Sequence, residues 1–263
     1  MKHIVLPDNK DRSLAFFLAM EEFVAREIEG EAFFVWRVEP TVIFGRNQVL
    51  ENEVNLEYCR ERGVEIVQRK SGGGCVYSDK GNIMISYVSG RGVERGVVSD
   101  IFEKYLNELT SCLRSLGLDA EKSGRNDILV GGRKVSGNAF HQLPDRSIVH
   151  GTLLYDTDMD ALEIAIRPPE EKLERHGVQS VRQRVRNIAE LLEQNVQHNQ
   201  HNQHNQNAQT GPNTQAVKYH PALNSVEALE KYIVEYFTDG EIRLSEEDVA
   251  AIEDMAKPYI VNI

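Results

Sequence analysis

The first part of the chain changes from helical to extended spacing of its apolar residues. Residues 14–28 carry apolar side chains at helical spacing, with Asp11 or Ser13 as the possible N-cap. The stretches AFFVWRV and TVIFG then predict two strands. Glu39-Pro40 separates them, because proline cannot donate a hydrogen bond to a strand ladder.

The middle of the chain predicts two helices with a hairpin between them. The first helix covers residues 52–62 and ends at Gly63, a usual stop residue. VEIVQRK alternates as a strand, and CVYS and IMISYV predict a hairpin around residues 79–82. Residues 99–116 have helical periodicity and end at Gly117.

A second hairpin is predicted in DILVGGRKVSGNAF, around Gly131-Gly132, and SIVHGTLLYD predicts a further strand. From Asp158 onward helical patterns return and strand patterns stop. This order predicts the α+β class, an antiparallel-to-mixed β-sheet flanked by helices, with a short helical C-terminal part over residues 216–263.

The composition is that of an ordinary soluble protein. The 263 residues are 41% hydrophobic and 27% charged, which suffices for one large domain or two small ones. A net charge of -11 argues against general nucleic-acid binding, since a phosphate backbone needs a basic face. The apolar runs are too short to predict a membrane span, and the N-terminus has no signal-peptide cleavage site.

The cysteine usage points to a reducing compartment. Cys59, Cys75 and Cys112 are odd in number and not closely spaced, so they predict neither a disulfide framework nor a zinc site. Together with the N-terminus, this predicts a cytoplasmic protein.

One segment has a composition unlike the rest. Residues 195–215 are a His-Asn-Gln repeat with almost no apolar side chain, so they cannot bury enough surface to order themselves. Its histidines, at a period of three, would have no fixed geometry for a metal. We therefore interpret the segment as a flexible insertion between residues 1–194 and residues 216–263, which form the helical C-terminal part of the same domain and not a full accessory domain.

The stretch RKSGGGCVYSDKGN places three glycines after two positive charges. It matches neither a Walker loop nor a dinucleotide fingerprint, because a strand follows where those motifs need a helix. Two readings remain open. The glycines bare backbone N–H groups to a ligand, which Arg69 and Lys70 would favour if it is an anion, or they only form a tight turn or bulge.

The second hairpin carries polar residues in alternation. A period of two puts Lys134, Ser136 and Asn138 on one face of the strand. Asn126 and Asp127 begin the partner strand, so a cation, a hydroxyl, amides and a carboxylate can converge on one ligand. Asp127 is either a ligand to a metal or a sugar hydroxyl, or a turn aspartate that accepts backbone N–H bonds.

Five blocks of sequence resemble, in content and order, the catalytic domain of the lipoate-protein ligase A family of the biotin/lipoate protein ligase superfamily. They are VWRVEPTVIFGRNQ, RKSGGGCVYSDKGN, SGRNDILVGGRKVSGNAF, HGTLLYDTDMDALEIAI and GVQSVRQRVRNIAEL. The resemblance covers residues 1–194 and is weak beyond them. It implies a biotin/lipoate ligase-like catalytic domain.

The resemblance also implies a two-step reaction. The carboxylate of lipoate attacks the α-phosphate of ATP, with Mg²⁺, to give lipoyl-adenylate and pyrophosphate. A lysine of an acceptor domain then attacks the activated acyl group. Lys134 is the expected catalytic residue, since a fixed ammonium stabilises the negative charge that develops in both steps.

The remaining site residues are carried over from the family by position. The glycine loop is expected to lie against the lipoyl-adenylate, and Asp127 is also the expected contact of Mg²⁺. His150 either orients a group in the pocket or only satisfies a strand hydrogen bond. The residues expected around the ligand are Arg69, Ser71, Gly72, Gly73, Gly74, Cys75, Tyr77, Asn82, Asn126, Asp127, Ser136, His150, Gly151 and Thr152.

Two departures from the family pattern leave other functions open. Cys75 stands where a small residue is usual, and Ser78 stands where a histidine is usual. Cys75 permits an octanoyl or lipoyl acyltransferase that works through a cysteine thioester, although a strand cysteine more often packs as a small hydrophobe. A noncatalytic lipoate-binding protein is the third class, which an intact Lys134 argues against.

The family also suggests partners. The expected acceptors are the lipoyl domains of 2-oxo acid dehydrogenase E2 subunits and the glycine-cleavage H protein. Many family members carry an extra small domain, and the chain stops at MAKPYIVNI, where that domain would begin. The expectation is that the sequence is truncated or that a separate accessory subunit supplies this domain, without which adenylation is impaired.

Overall fold

The computed structural model describes residues 1–90, 98–124, 126–166, 184–194 and 219–261. The His-Asn-Gln segment lies outside the described residues, and so does part of the last family block. Among the described helices, none is long and apolar enough to cross a membrane.

Eleven strands are described, and they form two sheets. In chain order they are β1 (Lys2–Val5), β2 (Ala32–Trp36), β3 (Thr41–Phe44), β4 (Glu65–Gln68), β5 (Val76–Ser78), β6 (Asn82–Val88), β7 (Ala120–Ser123), β8 (Asp127–Val130), β9 (Arg133–Gln142), β10 (Ser147–Leu154) and β11 (Glu241–Arg243). The large sheet has the order β11-β1-β2-β6-β10-β9-β8-β7, and the small sheet has the order β4-β3-β5.

The large sheet is mixed, which confirms the predicted α+β class. In this sheet, β1 pairs in parallel with both β2 and β11. All its other neighbouring strands, β2-β6, β6-β10, β10-β9, β9-β8 and β8-β7, pair antiparallel. The hairpin of β8 and β9 around Gly131-Gly132 is confirmed, and both glycines have positive φ.

The predicted first hairpin is wrong, because β5 and β6 belong to different sheets. β5 pairs with β3 in the small sheet, and β6 pairs with β2 and β10 in the large one. The carboxylate of Asp79 holds the crossing point by accepting hydrogen bonds from the N–H groups of Gly81 (2.9 Å) and Asp158 (2.8 Å). Alternation along the sequence locates a strand but does not identify its partner.

Among the described residues, seven α-helices and two short 3-10 helices, Pro221–Leu223 and Lys257–Tyr259, have defined bounds, and residues 188–194 are also helical. The α-helices are α1 (Leu14–Glu27), α2 (Leu50–Glu53), α3 (Leu56–Arg62), α4 (Val98–Ser115), α5 (Met159–Ala165), α6 (Val226–Phe237) and α7 (Glu246–Ala256). The single helix predicted over residues 52–62 is therefore two, since the Asn55 side chain caps α3 by accepting from the Tyr58 N–H. Ser13, not Asp11, caps α1.

The prediction that strands stop after Asp158 is also wrong. β11 pairs in parallel with β1, with His3 opposite Glu241 and Val5 opposite Arg243. Its three residues are too few, and two of them too polar, for alternation to reveal a strand.

Helices cover both faces of the large sheet. α4 and α6 pack on one face, in a core that includes Phe33, Ile85 and Val149. α1 packs on the other face, and α7 covers the outer side of α1. Because α1 is enclosed on both sides, even the charged Glu21 and Glu22 are buried. A buried carboxylate requires partners, and those of Glu21 belong to the candidate site.

The end of α1 is held by a fully buried arginine. Arg146 is 0% exposed, and its guanidinium donates to the carbonyls of Ala25 (3.1 Å), Ile28 (2.5 Å), Ser89 (2.7 Å) and Gly30. The helix end leaves carbonyls without intrahelical partners, and this single side chain satisfies several of them.

We expect Arg146→Met to lower the free energy of unfolding by about 3–5 kcal/mol, because it leaves several buried carbonyls without donors. Urea unfolding followed by circular dichroism measures the change. Arg60→Met, at an exposed position on α3, is the control and should change the value by less than about 1 kcal/mol. Equal values for the two variants would contradict the proposed role of Arg146.

Candidate functional site

Two adjoining cavities lie between the glycine loop, defined as residues 71–74, and strands β9 and β10. The first has a volume of about 110 Å³ and the second of about 510 Å³. Gly73, Asn126, Asn138 and Ala139 line both, so the cavities meet at these residues.

The first cavity has an apolar end and a polar end. The apolar side chains are Leu18, Trp36, Ile43, Val76 and Met84. Polar side chains from β9 and β10 include Lys134, His150 and Thr152, and Arg69 and Asn126 line the cavity from outside these strands. A ligand with an aliphatic chain and one polar head matches this division.

Arg69 holds the glycine loop from behind. Its guanidinium donates to the carbonyls of Gly72 (3.1 and 2.9 Å), Gly74 (2.6 Å) and Ile43 (3.2 Å). Burial lowers the pKa of Arg69 to about 10, which still leaves it charged at neutral pH. Arg69 lines the first cavity, but these donors are directed at the loop rather than at a ligand.

The backbone N–H groups of the three loop glycines are available to a ligand. Within the described part of the chain, no protein group accepts a hydrogen bond from the N–H of Gly72, Gly73 or Gly74. Gly73 needs to be glycine because its φ is +99°, and Gly45 needs to be glycine because a Cβ there would lie 2.5 Å from the Gly73 carbonyl oxygen. Free N–H groups in a row favour an anion or a polar oxygen, as in other backbone nests.

A β-bulge places Lys134 on the cavity side of β9. Ile128 is opposite Ser136 whereas Leu129 is opposite Lys134, so Val135 is an extra residue in the ladder. The ammonium of Lys134 consequently lies over Gly137, where a Cβ would be 2.8 Å from Nζ.

The predicted common face of Lys134, Ser136 and Asn138 is therefore wrong. Ser136 lies opposite Leu153 and Asn138 opposite Gly151, on the side of the sheet that α4 covers, and their side chains are hydrogen-bonded to each other at 3.1 Å. Strict alternation fails here because the bulge shifts the phase by one residue. Asn138 also explains why residue 151 on β10 is a glycine, since Oδ1 of Asn138 fills the space that a Cβ at residue 151 would need.

Lys134 has an acidic partner at the polar end of the cavity. Its Nζ lies 2.8 Å from Oδ1 of Asp127, and both side chains are about one third exposed. The backbone carbonyl of Lys134 accepts from the Arg186 N–H at 2.9 Å, which fixes the strand outside the β8 pairing. The ammonium of Lys134 is thus fixed by its ion pair with Asp127 and still accessible to a ligand.

Asn126 is fixed beside Asp127. Its side-chain amide donates to the Asn138 carbonyl at 2.8 Å, and its own carbonyl accepts from the backbone N–H and the side chain of Asn138. These bonds close the start of β8 onto β9, and they put Asn126 at the junction of the two cavities.

His150 lies in a chain of buried side chains. Its Nε2 is 2.7 Å from Ser71 Oγ, and its Nδ1 is 2.9 Å from Glu21 Oε2. The other oxygen of Glu21 accepts from Ser86 Oγ at 2.6 Å, and Ser86 in turn accepts from Trp36 Nε1 at 3.0 Å. His150 thus connects α1 to the first residue of the glycine loop.

Several site residues expected from the sequence are distributed differently. The structure brings Arg69, Gly73, Gly74, Cys75, Asn126, Lys134, His150, Gly151 and Thr152 to the first cavity, and Ser71 and Gly72 to the second. Asp127 reaches the first cavity through its ion pair with Lys134. Tyr77, Asn82 and Ser136 line neither cavity; they are buried in the sheets.

Cys75 lies on the wall of the first cavity as a neutral thiol. Burial raises its pKa to about 12, and the positive charge of Arg69 only partly offsets this. A nucleophilic cysteine has a lowered pKa, so the environment of Cys75 is the opposite of what a thioester mechanism needs.

We expect iodoacetamide at pH 8 to label Cys75 at least about 10-fold more slowly in the folded protein than in urea, since the thiolate is the reactive form. Peptide mass mapping over time measures the label at each cysteine. Cys59 and Cys112 are buried and serve as internal references. Labelling of Cys75 at the rate of the unfolded chain would contradict the assigned thiol state.

Sequence reasoning missed Glu21 and Trp36. Both lie in apolar stretches, where the residue pattern indicates only core, and their contacts to His150 and Ser86 join positions that are far apart in the chain. A charged residue at a core position of a helix was the one available signal for Glu21.

Known proteins are similar to this chain in sequence and in fold. The model of the lipoyl protein ligase A/B catalytic domain matches residues 13–208. The lipoate-protein ligase LplJ of Bacillus subtilis is 38% identical over 181 residues, which are 68% of this chain and 54% of that protein. The chain thus spans about half the length of this curated relative.

Two solved structures show the same fold. One is described as a bi-partite lipoate protein ligase with its E2 lipoyl domain from Thermoplasma acidophilum, at a TM-score of 0.72 and 23% identity over 98% of this chain and 92% of that one. The other is a lipoate-protein ligase A bound with ATP, at a TM-score of 0.73 and 21% identity over 97% and 94%. With a family model that matches most of its length, the chain belongs to the lipoyl protein ligase A/B catalytic domain family.

Proposed function

We propose that this chain is the catalytic part of a lipoate-protein ligase. It activates lipoate with ATP to lipoyl-AMP and transfers the lipoyl group to a lysine of a lipoyl domain. The observation that carries the proposal is the position of Lys134, whose ammonium lies at the polar end of a cavity that is apolar at its other end.

The cavities suggest where each part of the intermediate binds. The aliphatic chain and dithiolane ring fit the apolar side chains of the first cavity, and the adenylate fits the larger second cavity. The acyl phosphate bond then lies at the junction, near the free N–H groups of the glycine loop and the ammonium of Lys134. Both stabilise the oxygens on which negative charge develops.

In the first step, a carboxylate oxygen of lipoate attacks the α-phosphorus and pyrophosphate leaves. In the second, an uncharged lysine nitrogen attacks the acyl carbon, the carbon–oxygen bond to AMP breaks, and the nitrogen loses one proton. No enzyme nucleophile is required, because the adenylate is already a good leaving group. The neutral state of Cys75 supports this route over a cysteine thioester.

Mg²⁺ fits the residues present, as a companion of ATP. Asp127 offers one carboxylate, and Mg²⁺ in nucleotide sites commonly takes one or two carboxylates together with phosphate oxygens. The described residues hold no cluster of three or more His, Cys, Asp or Glu side chains that would form a metal site of their own. When bound there, Mg²⁺ would supply charge that neutralises the pyrophosphate leaving group.

The partners proposed are lipoyl domains of E2 subunits, with the glycine-cleavage H protein as a second acceptor. The Thermoplasma acidophilum ligase is described together with an E2 lipoyl domain, which supports this class. That ligase is also described as bi-partite, which supports an accessory subunit for the adenylation step here. A cytoplasmic location remains the expectation from the sequence.

The test is the intact mass of an apo lipoyl domain after incubation with this protein. One arm contains lipoate and ATP–Mg²⁺, and the other contains synthetic lipoyl-adenylate. A lipoyl mass gain in the adenylate arm supports transfer, and a gain in the ATP arm shows that the chain also adenylates alone. No gain in the adenylate arm contradicts the proposal. A third arm contains octanoylated carrier protein as the only acyl donor, and an octanoyl mass gain in that arm alone would indicate the transferase.

A further inference from the structure

The side chains of Ser71, His150 and Glu21 are hydrogen-bonded in series, in the order of a proton relay. Its three side chains come from the glycine loop, β10 and α1, and all of them are buried. Ser71 lines the second cavity and His150 the first, so the pair lies where the cavities adjoin. The ligase reaction proposed above gives this relay a task, because its second step releases a proton.

The direction of each hydrogen bond follows from the group that can only donate. The Trp36 indole N–H is such a group, so Ser86 Oγ accepts from it and must donate its own hydrogen to Glu21 Oε1. With Glu21 accepting at both of its oxygens, the hydrogen between Glu21 and His150 lies on Nδ1 of His150.

This tautomer leaves a lone pair on Nε2 of His150. Ser71 Oγ, at 2.7 Å, therefore donates its hydrogen to Nε2 and keeps its oxygen lone pairs for a further partner. A group that approaches Ser71 from the second cavity meets an acceptor, and that acceptor is connected to a base. An amine N–H is a suitable donor for it.

We propose that Glu21 and His150 form, with Ser71, the relay that removes the proton from the acceptor lysine during acyl transfer. As the nitrogen–carbon bond forms and the bond to AMP breaks, the nitrogen gives its proton to Ser71 Oγ, and Ser71 gives its own to His150 Nε2. The imidazolium is stabilised by the carboxylate of Glu21 until the proton passes to solvent. Ser71 contacts the substrate, and Glu21 is a positioning residue that fixes the histidine tautomer.

The proposal rests on the proposed ligase function, and it makes a prediction that a structural role does not. The relay serves only the transfer step. Changing Glu21 should therefore leave the binding of lipoyl-adenylate intact and slow its aminolysis, because an amide at this position can donate to Nδ1 and move the ring hydrogen to Nε2.

The chain offers a matched control on the same helix. Glu22 is also buried, but its carboxylate contacts Lys70 (2.5 Å), Arg26 (3.0 Å) and the Tyr259 hydroxyl instead of His150. Glu21→Gln and Glu22→Gln therefore remove the same charge from adjacent buried positions, and only the first changes the histidine.

The experiment measures single-turnover transfer from synthetic lipoyl-adenylate to an apo lipoyl domain, the affinity for a non-hydrolysable lipoyl-adenylate analogue, and the ring nitrogen shifts of His150 by NMR. We expect Glu21→Gln to slow transfer by about 100-fold, the lower range for a positioned base, with an affinity within about 3-fold of the wild type. Glu22→Gln should transfer within about 3-fold of the wild type. The nitrogen chemical shifts of His150 should show the tautomer with its hydrogen on Nδ1 in the wild type and the tautomer with its hydrogen on Nε2 in Glu21→Gln.

Ser71→Ala is the second variant, since it breaks the relay without leaving a buried charge, and it should also transfer about 100-fold more slowly. Wild-type rates in both Glu21→Gln and Ser71→Ala, or an Nε2–H tautomer in the wild type, would overturn the relay and leave the ligase function standing. A wild-type protein that does not transfer would overturn the ligase function, and the relay with it.

Discussion

Replacing Lys134 by alanine is expected to lower the rate of lipoyl transfer by about 100- to 1,000-fold, the usual loss when one donor to a developing negative charge is removed. The fold should survive, because the side chain is one third exposed and its ion pair with Asp127 is partly solvated. The rate is measured as the mass gain of an apo lipoyl domain with synthetic lipoyl-adenylate in single-turnover conditions.

Lys122→Ala is the matched control. Lys122 lies on β7, its side chain is 33% exposed against 32% for Lys134, and it too is paired with a carboxylate, that of Glu103 at 2.5 Å. This variant should transfer at the wild-type rate. If both lysine variants retained full transfer, Lys134 would not be the catalytic residue.

Replacing Arg69 by methionine is expected to release the glycine loop and to weaken binding of a lipoyl-adenylate analogue by about 100-fold. The variant loses the charged donor that holds the Gly72 and Gly74 carbonyls. A hydrogen bond to a charged group contributes about 1.5–3 kcal/mol, and about 2.8 kcal/mol corresponds to 100-fold in affinity. Isothermal calorimetry measures the change.

Arg69→Lys separates two explanations of this loss. The sequence suggests that the positive charge attracts an anion, and lysine would keep that charge. In the structure, the planar guanidinium donates to carbonyls of the loop and to that of Ile43 at the same time. An ammonium group cannot reproduce this geometry. We expect Arg69→Lys to bind as weakly as Arg69→Met. Wild-type affinity in Arg69→Lys would favour the charge explanation.

Residue patterns located most elements but not their partners. The alternation in CVYS and IMISYV correctly marks β5 and β6, yet the two strands lie in different sheets because the crossing at Asp79 is fixed by contacts to residues distant in sequence. β11 was missed because it is three residues long and is held by its pairing with β1.

In the site, too, the sequence marks some residues, and others become apparent only from the tertiary structure. The glycines and Lys134 stand out in the sequence because their chemistry is unusual for a strand or a turn. The bulge at Val135, which turns Lys134 toward the cavity, depends on the register between β8 and β9 and has no mark in the local pattern. Glu21 lies in an apolar helix, and only the packing of α1 on β10 brings it to His150.

The most direct test of the account is a crystal structure of this protein with a non-hydrolysable lipoyl-adenylate analogue. We expect the acyl chain to lie against Trp36 and Met84 in the first cavity, and the acyl oxygen or the adjoining phosphate to lie within hydrogen-bond distance of Lys134 Nζ. An analogue bound elsewhere, or bound in the cavity with its acyl phosphate away from both Lys134 and the glycine loop, would contradict it.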